Sequence, residues 1–235
     1  MKNQFFSDKR DFFKYDFLLS LMEEDLGLRR LALVPMLTPD DGSSDGNLTD
    51  YRPGLHPRRQ GLWKFLRECL ERGERDIRKL RVFMKGKPFK YLPWCDDTFF
   101  THEGRTKYFL GIPDTSLRNA LVFLDPDNGF EVPSMTARNG AKYIRYDELY
   151  GIMSRMDDGS MAVVYQHLPR KDRDTYFIKI AQDIRRRVGI RDILVVSDNV
   201  IAFFVLPKST VMGKAVRLNL SKYAVDHRLK YSDYS

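Results

Sequence analysis

Four apolar residues in unbroken succession, Leu121-Val122-Phe123-Leu124, run into Asp125-Pro126-Asp127-Asn128-Gly129. A short apolar run bounded by turn formers reads as a strand buried on both faces. Such a strand belongs to a sheet covered by helices on each side. In a parallel sheet of that kind, ligands bind outside the carboxyl ends of the strands. Asp125, Asp127 and Asn128 therefore stand where chemistry belongs. The same five residues also make a good turn with no further purpose, each for its own conformational reason.

The rest of the chain supplies the helices and the other strands. Residues 8–26 carry Phe13, Phe17, Leu18 and Leu21 at helical spacing, and Gly27 stops the pattern. Leu31-Ala32-Leu33-Val34 is a second buried strand, followed by a long loop over residues 35–47 that is rich in Asp, Gly and Ser. Loops of that length in compact domains are usually either functional or disordered. Arg58 to Gly73 forms a helix whose core stripe is Leu62, Phe65, Leu66, Cys69 and Leu70. Arg81-Val82-Phe83-Met84 reads as a strand, and the aromatic stretch around 86–112 as an insertion on the sheet. Lys142-Tyr143-Ile144 is strand-like, and a short helix with Tyr146, Leu149, Tyr150, Met153 and Met156 inward follows it. Met161-Ala162-Val163-Val164-Tyr165 is a further buried strand, ending in Gln166 and His167. The helix over 171–188 turns Phe177, Ile180, Ala181, Ile184 and Val188 inward. Residues 193–196 and 200–205 form a hairpin around Ser197-Asp198-Asn199. From Pro207 onward the apolar pattern is weak.

Alternating helices and strands closed by a hairpin predict an α/β fold. It is a single Rossmann-like domain over 1–235, with a mainly parallel sheet, helices on both faces and a C-terminal antiparallel hairpin. No apolar run approaches the ~20 residues that span a bilayer. The first eight residues show no signal-peptide core. The two cysteines, Cys69 and Cys95, make neither a disulfide framework nor a zinc pattern. The expectation is a reduced, cytoplasmic protein without a membrane partner or a metal. A net charge of +8 favours a polyanion, nucleic acid foremost. Residues 170–191 hold eight Lys and Arg against three Asp. Arg170, Lys171, Arg173, Arg185 and Arg186 are the candidate phosphate contacts.

The element order, the helix start Asp11-Phe12-Phe13-Lys14 and the strand end Asp125-Pro126-Asp127-Asn128 resemble the class I methyltransferases of the ribosomal-RNA adenine-N6 group. That group opens with an Asp-x-x-Lys helix and carries an Asp-Pro-Pro-Tyr motif after an apolar strand. The resemblance covers most of the chain in element order and is specific in these two motifs. It implies S-adenosylmethionine as cofactor, held around Asp11, Lys14, Thr38 and Asp41, with Asp125 and Asn128 holding a base amine. The sequence departs from the family in two places. Asp127 and Asn128 replace the second proline and the stacking tyrosine. Pro35-Met36-Leu37-Thr38-Pro39-Asp40-Asp41-Gly42 stands where the glycine-rich loop would be.

Two other readings use the same residues. Asp125 or Asp127, with Asn128 and His167, positions a water for hydrolysis of a glycosidic or phosphodiester bond, as a base-excision glycosylase or a nuclease would. Alternatively the chain is a non-catalytic nucleic-acid-binding module. Of the four histidines, only His167 sits at a strand end. His102-Glu103 has no partner at metal-ligand spacing, His56 follows the long loop and His227 lies in the tail.

Overall fold

A computed structural model describes all of residues 1–235. The chain runs α1 (Lys9–Glu23), β1 (Arg30–Val34), α2 (Pro57–Glu71), α3 (Leu80–Met84), β2 (Lys90–Pro93), α4 (Arg105–Leu110) and β3 (Ala120–Leu124). It continues through β4 (Gly129–Phe130), β5 (Tyr143–Ile144), α5 (Tyr146–Arg155), β6 (Met161–His167), α6 (Arg173–Val188), β7 (Leu194–Ser197), β8 (Ile201–Pro207), α7 (Thr210–His227) and β9 (Lys230–Asp233). Seven strands form one sheet in the order β2-β1-β3-β6-β8-β7-β9. The β2-β1, β1-β3 and β3-β6 pairs are parallel, and β8 then pairs antiparallel with both β6 and β7.

The apolar runs of the sequence are the central strands because both of their faces are covered. Leu121, Phe123, Met161 and Val163 point to one side, into a core shared with α1, α2, α3 and α7. Val122, Leu124, Ala162 and Val164 alternate to the other side, under α4, α5 and α6. This is a three-layer α/β/α sandwich. Helix α1 is buried almost all round, which explains why its apolar residues exceed a single stripe. Asp8 caps it, accepting the amides of Arg10 and Asp11 at 2.8 Å each. Phe17 stacks on Phe203 of β8 with ring centroids 4.6 Å apart, which fixes α1 across the antiparallel end of the sheet.

Three expectations are corrected. Residues 81–84 are helical, because Ile77, Leu80 and Met84 are the buried set, at helical spacing, while Val82 faces solvent. The stretch around 86–112 supplies the edge strand β2 as well as α4, so it is part of the sheet rather than an appendage. The tail beyond Pro207 is an 18-residue helix followed by an edge strand. Met212, Val216, Leu220 and Tyr223 form its buried stripe, and exposed Val211, Leu218 and Val225 hide that stripe in the sequence. The strand-like 142–144 segment pairs with β4 in a separate two-stranded ribbon. No helix is long and apolar enough to cross a membrane.

Candidate functional site

The turn at the carboxyl end of β3 is anchored from both neighbouring strands. The Asp125 amide still donates to Val34 in β1, at 3.0 Å. The chain then leaves the sheet and is caught by the end of β6. His167 N–H donates to the Asn128 carbonyl at 3.1 Å, and the Gln166 side-chain amide donates to the same carbonyl at 2.7 Å. The Gln166 carbonyl oxygen accepts the Phe130 N–H at 2.9 Å. Gly129 sits at φ +115°, and a Cβ there would stand 2.1 Å from Gln166 Oε1. Asp-Pro-Asp-Asn-Gly is therefore a turn whose glycine is required by both backbone angle and space.

Helix α1 brings the countercharge. Lys14 Nζ lies 3.0 Å from Asp125 Oδ2 and 3.1 Å from Asp11 Oδ1, and all three side chains are almost wholly buried. The ammonium also sits 4.5 Å from the centre of the Tyr165 ring, a cation–π contact. Tyr15 donates to Asp11 Oδ2 at 3.1 Å. Asp125 Oδ1 makes no hydrogen bond within the protein. Burial pushes the Asp11 carboxyl up to about 7, and the neighbouring Asp8 and Asp125 carboxylates add to the shift against the pull of Lys14. Burial disfavours the charge on Lys14, but Asp125 and Asp11 outweigh it and raise its pKa above the usual value. Lys14 is thus a permanent cation shared by two carboxyl groups, one of which takes up its proton near neutrality.

Asp127 is engaged differently. Its carboxylate pairs with the α-amino group of Met1 at 2.6 Å and accepts from Thr38 Oγ1 at 2.7 Å. Burial alone would raise its pKa, yet the ammonium and these hydrogen bonds bring it below the ordinary carboxylate value. The Met1 ammonium also donates to the carbonyls of Met36 and Asp125, at 3.2 and 3.1 Å. Met1 is 1% exposed, its side chain in the core on the α1 face and its carbonyl accepting the Thr38 amide at 2.7 Å. Lys2 pairs with Asp41, and Gln4 donates to Asp41, Ser43 and the Asp45 carbonyl. Residues 1–4 thus occupy the mouth of the loop where the resemblance expects an adenosylmethionine. That loop leaves β1 through Met36, φ +43°, with a buried side chain, and its glycines come only at Gly42 and Gly46. Thr38 bonds to Met1 and Asp127, while the exposed Asp41 pairs with Lys2 at the cavity. The turn directly after β1 offers no glycine cradle for that cofactor.

Above the buried charges lies a cavity of about 150 Å³. Asp125, Asp127, Asn128 and His167 all line it, as do Asp11, Lys14 and Asp41. The structure thus gathers at one site residues singled out on four separate segments. Burial, then the charge of Arg10, lowers the pKa of half-buried His167, so its imidazole is neutral at pH 7. Asn128 and His167 also line a wider groove of about 700 Å³ with Lys171, Lys179, Tyr143 and Tyr176. Arg170, Lys171 and Arg173 line its continuation, of about 640 Å³, at the start of α6. Arg185 and Arg186 lie in the last turn of that helix, roughly 18 Å along it from Arg173 at 1.5 Å per residue, and border neither groove.

Several lining residues escape a motif-based reading: Arg10, Lys142 and Tyr165. Tyr165 was accessible through strand periodicity, since it follows Met161 and Val163 on the α1 face. Arg10 and Lys142 carry no comparable sequence signal. No group of three or more His, Cys, Asp and Glu side chains is placed to hold a metal ion. No family model, curated protein or solved structure matches the chain.

Proposed function

We propose that this protein is a nucleic-acid-modifying enzyme that hydrolyses a nucleotide bond at the carboxyl end of the sheet, with the N-glycosidic bond as its target. The observation that carries the reading is the Asp125 carboxylate. One oxygen is held by Lys14 and the other is buried at the cavity with no partner. A fixed, unshared carboxylate oxygen stabilises the positive charge that grows on a sugar as its glycosidic bond breaks. Neutral His167 takes a proton from the attacking water. The water oxygen bonds to the sugar carbon while the carbon–nitrogen bond breaks, and its pair of electrons leaves with the base. Arg10 and Lys142, neither with an acidic partner, stand at the cavity to receive the anionic leaving base. Asn128 orients the water or the sugar. The basic groove at the start of α6 holds the flanking phosphates.

Methyl transfer is the second reading, and the strand order favours it, since a parallel half closed by a strand-turn-strand is the architecture named above. The packing of Met1 against the loop after β1 weighs against it. One experiment separates the two. The purified protein is incubated with single- and double-stranded DNA and RNA bearing normal and modified bases, with and without adenosylmethionine. Free base released without cofactor, lost in Asp125→Asn and His167→Ala, supports hydrolysis. Methyl incorporation without base release refutes it.

A further inference from the structure

The groove at α6 leads to the site from one side of the sheet. A second pocket, of about 400 Å³, opens on the other side, between the start of α1, the end of α7 and the β7–β8 turn. Arg10 lines both this pocket and the catalytic cavity. Its apolar surface includes four aromatic rings beside Leu48, Val200 and Leu229: Phe13 and Tyr51 are half-buried, with Phe12 and Tyr223 beneath them. Phe12 and Tyr51 lie 5.2 Å apart, centroid to centroid. Four cations at the pocket, Lys9, Arg10, Arg52 and Arg228, have no acidic partner. Arg59 is committed elsewhere, to Asp16 at 3.4 Å and to the Phe12 ring at 5.3 Å. The one acid at the pocket, Asp198, spends its Oδ1 on the amides of Val200 and Ile201, at 2.6 and 2.8 Å. Aromatic faces rimmed by unpaired cations are complementary to a flat ring carrying a phosphate, the repeating unit of a single strand.

We infer that a single-stranded polynucleotide crosses the whole carboxyl end of the sheet, and that this second pocket binds the nucleotide beyond the one being cut. The inference rests on the proposed function and adds to it the form of the substrate and a second contact station. The strand enters along Lys171 and Lys179, presents one nucleotide at His167 and Asn128, passes Arg10, and stacks its next base against Phe13 and Tyr51. Double-stranded substrate has to be opened locally to follow that path.

The test is fluorescence anisotropy with two labelled DNA single strands, one of about four nucleotides and one of about twelve. Wild type is compared with the double variant Arg52→Glu/Arg228→Glu. Both residues are exposed and form no ion pair, so the fold is retained, and thermal melting verifies it. The expected result is at least a tenfold loss of affinity for the long strand, with the short strand less affected. The slope of log affinity against log salt should fall by about 1.4, at roughly 0.7 per lost phosphate contact on a single strand. Wild type that binds the long strand while the double variant binds it equally well overturns the second station and leaves the nucleic-acid reading standing. Wild type that binds neither strand overturns both. A Lys171→Glu/Lys179→Glu variant tests the α6 groove in the same assay, and unaltered binding there removes the entry side of the path.

Discussion

Replacing Lys14 by Met keeps the length of the side chain and removes the only ammonium shared by Asp11 and Asp125. The variant should lose stability in a way that grows with pH. At pH 5 Asp11 is already protonated in the folded wild type, since its pKa is pushed up to about 7. The loss at pH 5 is then that of the Lys14–Asp125 contact alone, about 1.5 kcal/mol, the lower end for a hydrogen bond from a charged donor. Above pH 7 the Asp11 carboxyl is ionised in the wild type and its charge loses its partner too, which brings the cost to about 3–5 kcal/mol. The sign is that of an acid with a raised pKa. The folded state holds protons the unfolded state has released, so stability falls as pH rises. Urea unfolding of both proteins at pH 5 and pH 8 should give a gap of about 1.5 kcal/mol at the lower pH and about 3–5 kcal/mol at the higher. Adding Asp125→Asn to Lys14→Met should restore part of the loss at pH 8, because both partners of that pair are then gone. A gap that is the same at both pH values, or no recovery in the double variant, would refute the assignment of Lys14 as the countercharge of Asp11 and Asp125.

Other outcomes follow from the same geometry. Gly129→Ala should cost about 1–3 kcal/mol in denaturant unfolding, from the φ +115° backbone and the displaced Gln166 amide. Phe203→Ala should cost about 3–5 kcal/mol, because Phe17, Phe13, Phe123 and Tyr165 all pack around that ring. If base release is the activity, its rate should rise with pH through the depressed His167 pKa, putting the acid limb below 6.5, and His167→Gln should abolish that limb. Asp127→Asn should destabilise the protein at neutral pH, with the gap in melting temperature closing as pH falls below 3.8, since a lowered carboxyl pKa contributes stability only above it.

The layers of this fold were readable because burial on both faces leaves an unmistakable pattern. Each of the strands β1, β3, β6 and β8 is an apolar run, and each was placed to within a few residues. Edge strands carry no such pattern. β2 is only partly buried and reads Lys-Tyr-Leu-Pro, and β9 reads Lys-Tyr-Ser-Asp. Helix α7 was hidden by three exposed apolar residues that blur its stripe, and α3 by a β-branched and an aromatic residue, Val82 and Phe83, which favour strands when context is absent. At the site, the sequence led to the turn after β3 and to Lys14. It did not lead to their contact, which joins residues 111 positions apart. The loop after β1 takes the Met1 ammonium at Met36 and gives the Thr38 amide to the Met1 carbonyl, and no local pattern in residues 35–47 encodes those contacts.

A buried ion pair is a poor device for stability, because desolvating the charges cancels most of their attraction, and apolar residues of similar volume often do as well. The group at Asp11, Lys14 and Asp125 therefore needs another reason for its place. It lies at the end of the central strand, under the cavity, and not among the large apolar faces where a stabilising contact would count most. Its effect there is specific. Lys14 fixes one oxygen of Asp125 at a depth that solvent does not reach. The other oxygen is buried beside the cavity with no hydrogen-bond partner. Asp11, with its pKa near 7, absorbs the proton that three crowded charges cannot all refuse. Lys14 also lies against Tyr165 on β6, two residues before His167, so Asp125 and the imidazole are held by a shared scaffold. A fixed, half-satisfied carboxyl group on the same cavity as His167 fits the hydrolysis proposed above. A turn with no chemistry to perform would be satisfied more simply by a neutral Asn at position 125.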